Sequence, residues 1–482
     1  MENTNKNGKT IIIAVMLIIA LVGVFSIGYS LGIYVDKSTS TVEGDYLKTF
    51  KTVYGILNNR FFFREDSEEY REKLINDAIK GMVDGQGDIH TAYMSAEQLS
   101  QFTSSLESNF VGIGVRYVNI NGNLVIVQVM RTSPAEAAGM LAGDIITAVD
   151  GKTVAEYGED YIVDTIKGEA GTKVNVTVLR EGRKVELAIV RNVISSTVTA
   201  RLLGDGVGYL EITSFSNGTF EDVGKELEYF KQNGVKRLLI DLRNDTGGYV
   251  DVLIYISSYF IPAGETVIQE EYIERTVNDT AQAKAGKTEI PRYRFDKIVV
   301  LVNDETASAA EAFTMVLKDH LDATVVGETT YGKGIGQTTE VFSDGSALKY
   351  TQMRWLSPKG TYIGGTGIVP DYEVKLHPAM YQNYLILDEG ETLQYDQVGT
   401  KVAMLQNMLD YIGFSVDRND GYFSQKTVEA VKAFQSSRGL KADGIVDDAT
   451  ATQISIDLVM LWNSHPETHD AQYIKAIELL KE

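Results

Sequence analysis

A hydroxyl surrounded by small side chains marks the segment NDETASAAEAF, residues 303–313. Ser308 lies there among four alanines, directly after an apolar run. Small side chains let another molecule approach the backbone closely, and a serine at the start of a helical pattern can either attack a carbonyl carbon or cap the helix. The residue types therefore leave two roles open for Ser308, a nucleophile and an N-cap.

A nucleophilic serine needs a group that takes its proton, and histidine is the usual one. His320 lies twelve residues further along the same predicted helix, ~18 Å away, and cannot reach back. The other four histidines have no orienting carboxylate motif beside them, and the chain has no G-x-S-x-G elbow. Neutral lysine is the alternative base, and Lys333 in GETTYGKGIGQ, residues 327–337, is the candidate.

The same segment is close to a phosphate-binding loop, because Gly327, Gly332 and Lys333 match the pattern G-x4-G-K. Gly334, however, stands where a Ser or Thr would hold magnesium. The residues that follow, IGQTTEVF, alternate as a strand does and do not open a helix. Nucleotide binding is therefore disfavoured.

The elements around these residues alternate between strands and helices from 193 to 390, and we expect a mixed α/β peptidase core there. RLLIDLR (237–243) and KIVVLVN (297–303) are apolar runs typical of strands buried on both faces, and YVDVLIYISSYF (249–260) between them reads as a helix. This order predicts parallel strands with a ligand site at their carboxyl ends. Ser308 and the turn NDTGG (244–248) both follow such ends.

Four motifs together resemble the carboxy-terminal processing peptidases: TASAAE around Ser308, GKGIGQ (332–337), DLRNDTGG (241–248) and WLSPKG…GIVPD. The resemblance implies a serine endopeptidase without metal or cofactor. Asp245 and Thr246 depart from the family pattern, where Asn and Pro are usual at these positions. By that pattern Ser308 is the nucleophile and Lys333 is the general base. Gln337 orients the Lys333 amine. The oxyanion donors are the backbone N–H groups of Ala309 and of Gly247 or Gly248.

Residues 110–192 resemble a PDZ domain, through VGIGV (111–115), SPAEAAGMLAGDIITAVDG (133–151) and the order of five predicted strands. The resemblance implies a β-sandwich or barrel that binds the C-terminus of a protein or peptide as an added strand. The alternative is that the glycines of VGIGV only turn a hairpin. The expected carboxylate-binding residues are Val111, Gly112, Ile113, Gly114 and Val115.

Residues 391–460 contain a repeat, DGYFSQKT from Asp420 and DGIVDDAT from Asp443, between amphipathic helical patterns. This resembles the small three-helix peptidoglycan-binding domain, which makes peptidoglycan an expected partner. Asp447 departs from the pattern, where Gly is common. Residues 461–482 remain as a C-terminal tail.

The N-terminus contains an uncharged apolar run from Thr10 to Val35, preceded by Lys6 and Lys9. Its length fits a bilayer, and the lysines favour a cytoplasmic start. We expect residues 1–36 to form a cytoplasmic N-terminus and an uncleaved, single-pass membrane anchor, with the catalytic part outside the cytoplasm; a cleaved signal peptide is the alternative. The next segment, 37–109, predicts a helical arm, with helices at 46–58 and 68–83, that docks or forms a homodimer.

Composition narrows the function further. A formal charge of −21 over 482 residues disfavours nucleic acid as a partner, and the absence of cysteine excludes disulfides and thiolate chemistry. The fold class is multidomain, α/β and α+β. The function favoured is a membrane-anchored endopeptidase that recognises substrate C-termini and processes or degrades secreted or envelope proteins. The alternative is a catalytically inactive cell-wall scaffold built from the PDZ and peptidoglycan-binding modules.

Overall fold

The computed structural model describes residues 41–106, 109–195, 197–280, 284–285 and 288–482. The predicted anchor, Thr10 to Val35, lies outside the described residues. Within the described ranges, the helices are all too short or too polar to cross a bilayer. The chain divides into two compact units, Met1–Tyr93 and Met94–Glu482.

The first unit contains the two helices predicted for the arm. Helix α1 is Thr41–Asn59 and α2 is Glu68–Asp84. The Ser67 hydroxyl caps α2 by accepting the N–H of Tyr70 at 3.1 Å. Large apolar side chains on α1 are exposed, among them Tyr46 and Phe50. A short strand, β1 (Ala92–Met94), follows, and α3 (Ala96–Leu106) belongs to the second unit.

The PDZ-like region folds as its strand order predicts. Its main sheet has the order β3-β4-β5-β7-β8, with β6 beside β5, and β2 pairs separately with β9. The strands are β2 (Asn109–Gly112), β3 (Val115–Ile120), β4 (Asn123–Val129), β5 (Ile145–Val149), β6 (Lys152–Thr153), β7 (Lys173–Arg180), β8 (Arg183–Val190) and β9 (Asn192–Ser195), and the helices are α4 (Pro134–Ala137) and α5 (Val154–Ile166).

The core region contains the expected parallel sheet, in the order β10-β11-β12-β17-β18-β21, with β10 antiparallel to its neighbour. A second, antiparallel group joins β14, β13, β20 and β19. The strands are β10 (Val198–Gly204), β11 (Val207–Ile212), β12 (Arg237–Asp241), β13 (Thr266–Glu271), β14 (Thr276–Thr280), β15 (Lys284–Ala285), β16 (Thr288–Glu289), β17 (Lys297–Val302), β18 (Thr324–Gly327), β19 (Ile335–Val341), β20 (Ala347–Leu356) and β21 (Tyr372–Glu373), and the helices are α6 (Thr219–Gln232), α7 (Val250–Ser257) and α8 (Ala309–Leu321).

The apolar run of β12 is explained by burial on both faces. Leu238 and Ile240 pack into the core that α6, α7 and α8 share with the sheet. Leu239, between them, points to the opposite face, where it packs against Tyr473 and Leu480. Because side chains alternate along a strand, a sheet covered on both faces needs apolar residues at successive positions.

The C-terminal region contains the predicted three-helix domain followed by a short and a longer helix. The helices of the domain share one apolar core. Residues 461–482, separated as a tail on sequence, continue the third helix of the domain and end in the longer helix, whose apolar side covers the second face of the parallel sheet. The elements are a 3-10 helix (Pro378–Tyr381), α9 (Thr400–Tyr411), α10 (Gln425–Ser437), α11 (Asp448–Ser464), α12 (Pro466–His469) and α13 (Ala471–Lys481).

The DG-x5-T repeat has a structural explanation in two buried glutamines. Gln406 accepts the N–H of Gly421 and donates to the Thr427 hydroxyl. Gln435 makes the same pair of contacts with the second repeat, through Gly444 and Thr450. The threonines of the repeat are therefore core residues that bind a glutamine, rather than exposed ligand contacts.

Asp447, the departure from the repeat pattern, caps α11. Its carboxyl group accepts the N–H of Thr450 at 2.9 Å. Ser424 caps α10 at the equivalent place by accepting the N–H of Thr427. The departure thus exchanges one good N-cap residue for another.

Candidate active site

Ser308 lies between β17 and α8 with a backbone that L-residues rarely adopt. Its φ is 56° and its ψ is −119°, and it occupies the N-cap position of α8. An ordinary N-cap residue has extended φ and ψ, so Ser308 is not held as a simple cap would be. Backbone strain of this kind costs on the order of 1–3 kcal/mol and persists where the surrounding contacts impose it.

The contact that holds Ser308 comes from Glu311, one turn into α8. The Glu311 side chain is completely buried, and its Oε2 accepts the backbone N–H of Ser308 at 2.9 Å. The same oxygen accepts the N–H of Lys333 at 2.8 Å. Since both donors share one acceptor, the two backbone nitrogens lie within roughly 6 Å of each other.

The second oxygen of Glu311 is bonded too. Its Oε1 accepts the hydroxyl of Thr330 at 2.5 Å and the N–H of Gly332 at 2.7 Å. One carboxyl group thus receives four hydrogen bonds and joins the start of α8 to the GKG loop. The structure brings Ser308 and Lys333 together across 25 residues of sequence through a residue to which the sequence analysis assigns no role.

Lys333 is held on its other side by Trp355 of β20. The indole Nε1 donates to the backbone carbonyl of Lys333 at 2.9 Å, and Trp355 itself is buried. The main chain of Lys333 is therefore fixed by a donor and an acceptor, while its side chain is half-buried. A lysine that is to act as a base needs such a partly dry surrounding.

Gln337 lies on β19, four residues beyond Lys333. Its amide nitrogen Nε2 is buried and has no hydrogen-bond partner within the described ranges. A buried amide donor without a partner costs free energy, which fits a group reserved for a contact made during function. Its orienting role toward the Lys333 amine stays a prediction.

The turn NDTGG packs directly on Ser308. A Cβ added to Gly247, whose φ is +94°, would lie 2.8 Å from the Ser308 Cβ and 2.7 Å from the Ala309 nitrogen. The N–H of Gly247 donates to Asp245 Oδ1 at 2.7 Å. The N–H groups of Gly248 and Ala309, by contrast, have no hydrogen-bond partner in the part of the chain that the structure describes. Of the two glycines predicted from sequence, Gly248 is the one whose N–H remains available to an oxyanion.

Further hydrogen bonds lock this turn to the Ser308 loop. Asn244 and Asn303 exchange two of them, at 2.7 and 2.8 Å. The Thr306 hydroxyl donates to the carbonyl of Leu242 at 2.8 Å. Such cross-links preorganise the donors that stabilise a developing negative charge.

Asp245 is fully buried in the same turn. Burial raises the pKa of its carboxyl group well above the ordinary range, although the hydrogen bond from the Gly247 N–H acts in the opposite direction. Its Oδ2 has no partner among the described residues. The raised pKa favours the neutral carboxylic acid, which has nearly the shape of the Asn that the resembled family uses at this position.

The PDZ-like groove lies between β3 and α5. It encloses about 150 Å³ and is almost wholly apolar, with Ile113, Gly114 and Val115 at one end. Gly114 has φ +80°, and a Cβ there would lie 2.4 Å from the Ser133 Cβ, so the position requires glycine. Val111 and Gly112 do not line the groove; they belong to β2 and pair with Val193 and Asn192.

Three residues of the site were not predicted from the sequence: Glu311, Asn303 and Trp355. Glu311 carried a usable signal, because Ser308 followed three residues later by Glu matches a capping box before a helix. Asn303 and Trp355 had none, since their partners lie 59 and 22 residues away in sequence.

Comparison with known proteins identifies three regions. Residues 206–374 match the model "Peptidase family S41", residues 111–190 match "PDZ domain", and residues 398–454 match "Putative peptidoglycan binding domain". The chain is 32% identical over 463 residues to a "Probable CtpA-like serine protease" of Staphylococcus epidermidis, covering 94% of this chain and 92% of the relative. It is also 32% identical over 477 residues to the protein of that name from Staphylococcus aureus, covering 98% and 91%.

Among solved structures, the photosystem II D1 C-terminal processing protease is similar with a TM-score of 0.40 and 25% identity, over 68% of this chain and 88% of that one. From its full-length similarity to the staphylococcal relatives and its matching catalytic domain, the chain belongs to peptidase family S41 and is a serine-type peptidase of the carboxy-terminal processing group, with a PDZ domain and a peptidoglycan-binding domain.

Proposed function

We propose that this protein is an endopeptidase in which Ser308 is the nucleophile and Lys333 the general base. The observation that carries the proposal is the Glu311 carboxyl group, which binds the N–H of Ser308 and the N–H of Lys333 through one oxygen. A buried group that ties these two loops together gives the pair a fixed geometry, as proton transfer between them requires.

The chemistry follows from the positions of the groups. The Ser308 hydroxyl oxygen attacks the scissile carbonyl carbon while its proton passes to the neutral Lys333 amine. The carbonyl oxygen, now negative, is stabilised by the N–H groups of Ala309 and Gly248 and by the N-terminal end of α8. Lys333 then protonates the leaving amine. A water attacks the acyl-enzyme and gives its proton to Lys333, which returns this proton to the Ser308 oxygen as the ester bond breaks and the carboxylic acid product leaves. Gln337 orients the lysine amine in each step.

The test is substitution of each residue and assay with an unstructured peptide. Ser308→Ala and Lys333→Ala should each lower turnover by at least about 10³-fold while the fold is kept, and the double variant should be little worse than either. Gln337→Ala should lower it less. Lys349→Ala, a lysine on β20, serves as the matched control and should leave turnover unchanged. Strong cleavage by Lys333→Ala would contradict the Ser–Lys assignment.

We further propose that the PDZ groove binds substrate C-termini. The apolar lining fits an aliphatic C-terminal side chain, and the edge of β3 can accept an added strand. Val163→Glu, which places a charge in the groove, should abolish binding of C-terminal tail peptides measured by fluorescence polarisation. Glu156→Ala, on the exposed side of the same helix, should bind as the parent does; equal binding by both variants would exclude the groove.

We propose a location outside the cytoplasm, with the segment from Thr10 to Val35 as a membrane anchor, the arm as a homodimer contact and peptidoglycan as a partner of the C-terminal domain. The apolar run and its flanking lysines support the orientation. The exposed apolar side chains of α1 support the dimer. Protease added to intact protoplasts should remove everything beyond residue 36, and full protection of the chain would mean the opposite orientation.

A further inference from the structure

The last residues of the chain, beyond the three family matches, contact Arg243, the residue that precedes the catalytic turn. The matches end at residue 454, whereas Asp470 lies between α12 and α13 and is almost completely buried. Its Oδ1 caps α13 by accepting the N–H of Tyr473 at 3.0 Å. Its Oδ2 accepts a hydrogen bond of 2.7 Å from Arg243 Nη1. One carboxyl group thus starts the C-terminal helix and binds an arginine of the core.

Arg243 is held from several directions. Asp241 pairs with its Nε and Nη2, at 2.9 and 2.7 Å. Gln472 accepts from Nη1 at 3.1 Å, and the Trp462 ring lies 5.6 Å from the guanidinium carbon. The arginine side chain is 12% exposed. A buried guanidinium keeps its position only while its acceptors are present, because a lost acceptor leaves a charged donor without a partner.

Arg243 directly precedes the turn that carries the oxyanion donors. Asn244, with φ 62°, is the next residue, and Gly248 is five residues on. The arginine backbone is also fixed, since its N–H donates to Asp241 Oδ1 at 3.1 Å. The same Asp241 oxygen accepts the guanidinium Nε of Arg243, so a shift of the guanidinium also disturbs the bond that fixes the start of the turn. The other end of the turn is packed on Ser308.

We infer that Asp470 is a positioning residue for peptide hydrolysis, acting through Arg243 to place the Gly248 N–H beside Ser308. This inference rests on the proposed function of Ser308. It makes residues 466–481 a part of the catalytic unit rather than an appendage of the peptidoglycan-binding domain. In the order of the chain, the peptidoglycan-binding domain is then an insertion between the parallel sheet and α13, the helix that covers the second face of this sheet.

The variant that isolates this role is Asp470→Asn. Asparagine keeps the cap of α13, since its amide oxygen accepts the Tyr473 N–H, but it removes the charge opposite Arg243. Asp447→Asn is the matched control, because Asp447 caps α11 in the same way and does not contact Arg243. We expect Asp470→Asn to lower kcat about 10- to 100-fold with KM within about twofold, because misplacement of a transition-state donor affects turnover more than binding. Asp447→Asn should change neither.

A second readout separates positioning from loss of stability. A peptide aldehyde adds to the Ser308 hydroxyl as a hemiacetal whose oxygen occupies the oxyanion site, whereas the carbonyl of an uncleaved peptide bound to Ser308→Ala stays planar and neutral and depends far less on the oxyanion donors. Asp470→Asn should weaken the aldehyde about 10-fold or more and leave the affinity of the peptide for the Ser308→Ala background unchanged. If both affinities fall together, Asp470 has a general structural role and the inference is wrong.

The rescue variant adds Gln472→Glu to Asp470→Asn. Gln472 already contacts Arg243 Nη1, so a carboxylate there restores the lost charge from a neighbouring position. Recovery of at least about a third of the lost kcat supports the inference, and no recovery in a folded double variant overturns it. Should Ser308→Ala itself retain activity, the proposed function fails; should Ser308→Ala be inactive and Asp470→Asn fully active, only the present inference fails.

Discussion

Glu311 and Asp245 are both buried carboxyl groups in segments bonded to the Ser308 loop, and their surroundings are opposite. Glu311 receives hydrogen bonds from four donors, one of them the Ser308 N–H. Asp245 receives one, from Gly247, and its second oxygen has no partner among the described residues. The Glu311 carboxyl group joins two segments, the start of α8 and the GKG loop. Asp245 stands where the resembled family has the amide of Asn, and burial raises the pKa of its carboxyl group. Two equally buried carboxyl groups can therefore have different roles, because the number of hydrogen-bond donors around each group differs.

The largest effect is expected from Glu311→Gln. The amide has one accepting oxygen, so its NH₂ would face two donors, either Ser308 and Lys333 or Thr330 and Gly332. We expect a loss of about 2–4 kcal/mol in the free energy of unfolding and nearly complete loss of turnover. Urea unfolding measures the loss of stability, and a peptide cleavage assay measures the loss of turnover. Thr330→Val removes one donor to the carboxyl group and the acceptor of the Ile368 N–H, but leaves the bonds of Glu311 to Ser308 and Lys333. It should therefore keep most of the turnover; an equal loss of turnover in both variants would show that those two bonds do not set the geometry of the site.

The contact between the two segments is tested by Gly247→Ala. The added Cβ would lie 2.8 Å from the Ser308 Cβ, at a φ of +94° that alanine disfavours. We expect turnover to fall by at least about 10²-fold, since the turn must move away from the nucleophile. Gly264→Ala is the control, because Gly264 has φ +88° but open space around it. Gly264→Ala has the same backbone strain without the close contact. An equal loss of activity in both variants would mean that the contact between Gly247 and Ser308 is not needed for turnover.

Asp245→Asn tests whether burial keeps the Asp245 carboxyl group neutral. A carboxyl group whose folded pKa is raised contributes stability that is fully present below its unfolded pKa, near 3.9, and lost as pH rises through the folded pKa. The free energy of unfolding of the parent should therefore fall relative to the Asn variant by about 1.4 kcal/mol per pH unit above pH ~4, until Asp245 ionises in the folded state. Thermal unfolding of both proteins from pH 4 to pH 8 measures this difference in stability. The Asn variant should retain its activity. A difference independent of pH would mean that Asp245 titrates normally.

The smallest effect concerns the strain at Ser308. Ser308→Gly and Ser308→Ala are both expected to be inactive, but glycine tolerates a φ of 56° and a ψ of −119°. The relief of strain exceeds the extra entropy that glycine loses on folding, so Ser308→Gly should be more stable than Ser308→Ala by about 1 kcal/mol. Equal stability would place the strain elsewhere in the loop.

Much of the fold followed from periodicity. RLLIDLR and KIVVLVN were predicted as buried parallel strands and are β12 and β17, and the helices predicted at 46–58 and 68–83 are confirmed. The motif residues Ser308, Lys333 and the NDTGG turn were found because the resembled family spaces them in the same way. Asn303 and Trp355 could not be found, since their hydrogen bonds join residues far apart in the sequence and follow no regular spacing.

The elements and the reactive residue types can be read from the residues in order: an apolar alternation makes strands, an i, i+3, i+4 pattern makes helices, and a serine and a lysine lie in glycine- and alanine-rich loops. Two features depend on the folded chain: the Gly247 N–H donates to Asp245 while the Gly248 N–H stays available, and the C-terminal segment returns to the sheet as α13. The physical reason is that both depend on burial and on long-range hydrogen bonds, which arise when segments far apart in sequence close on one another and exclude water.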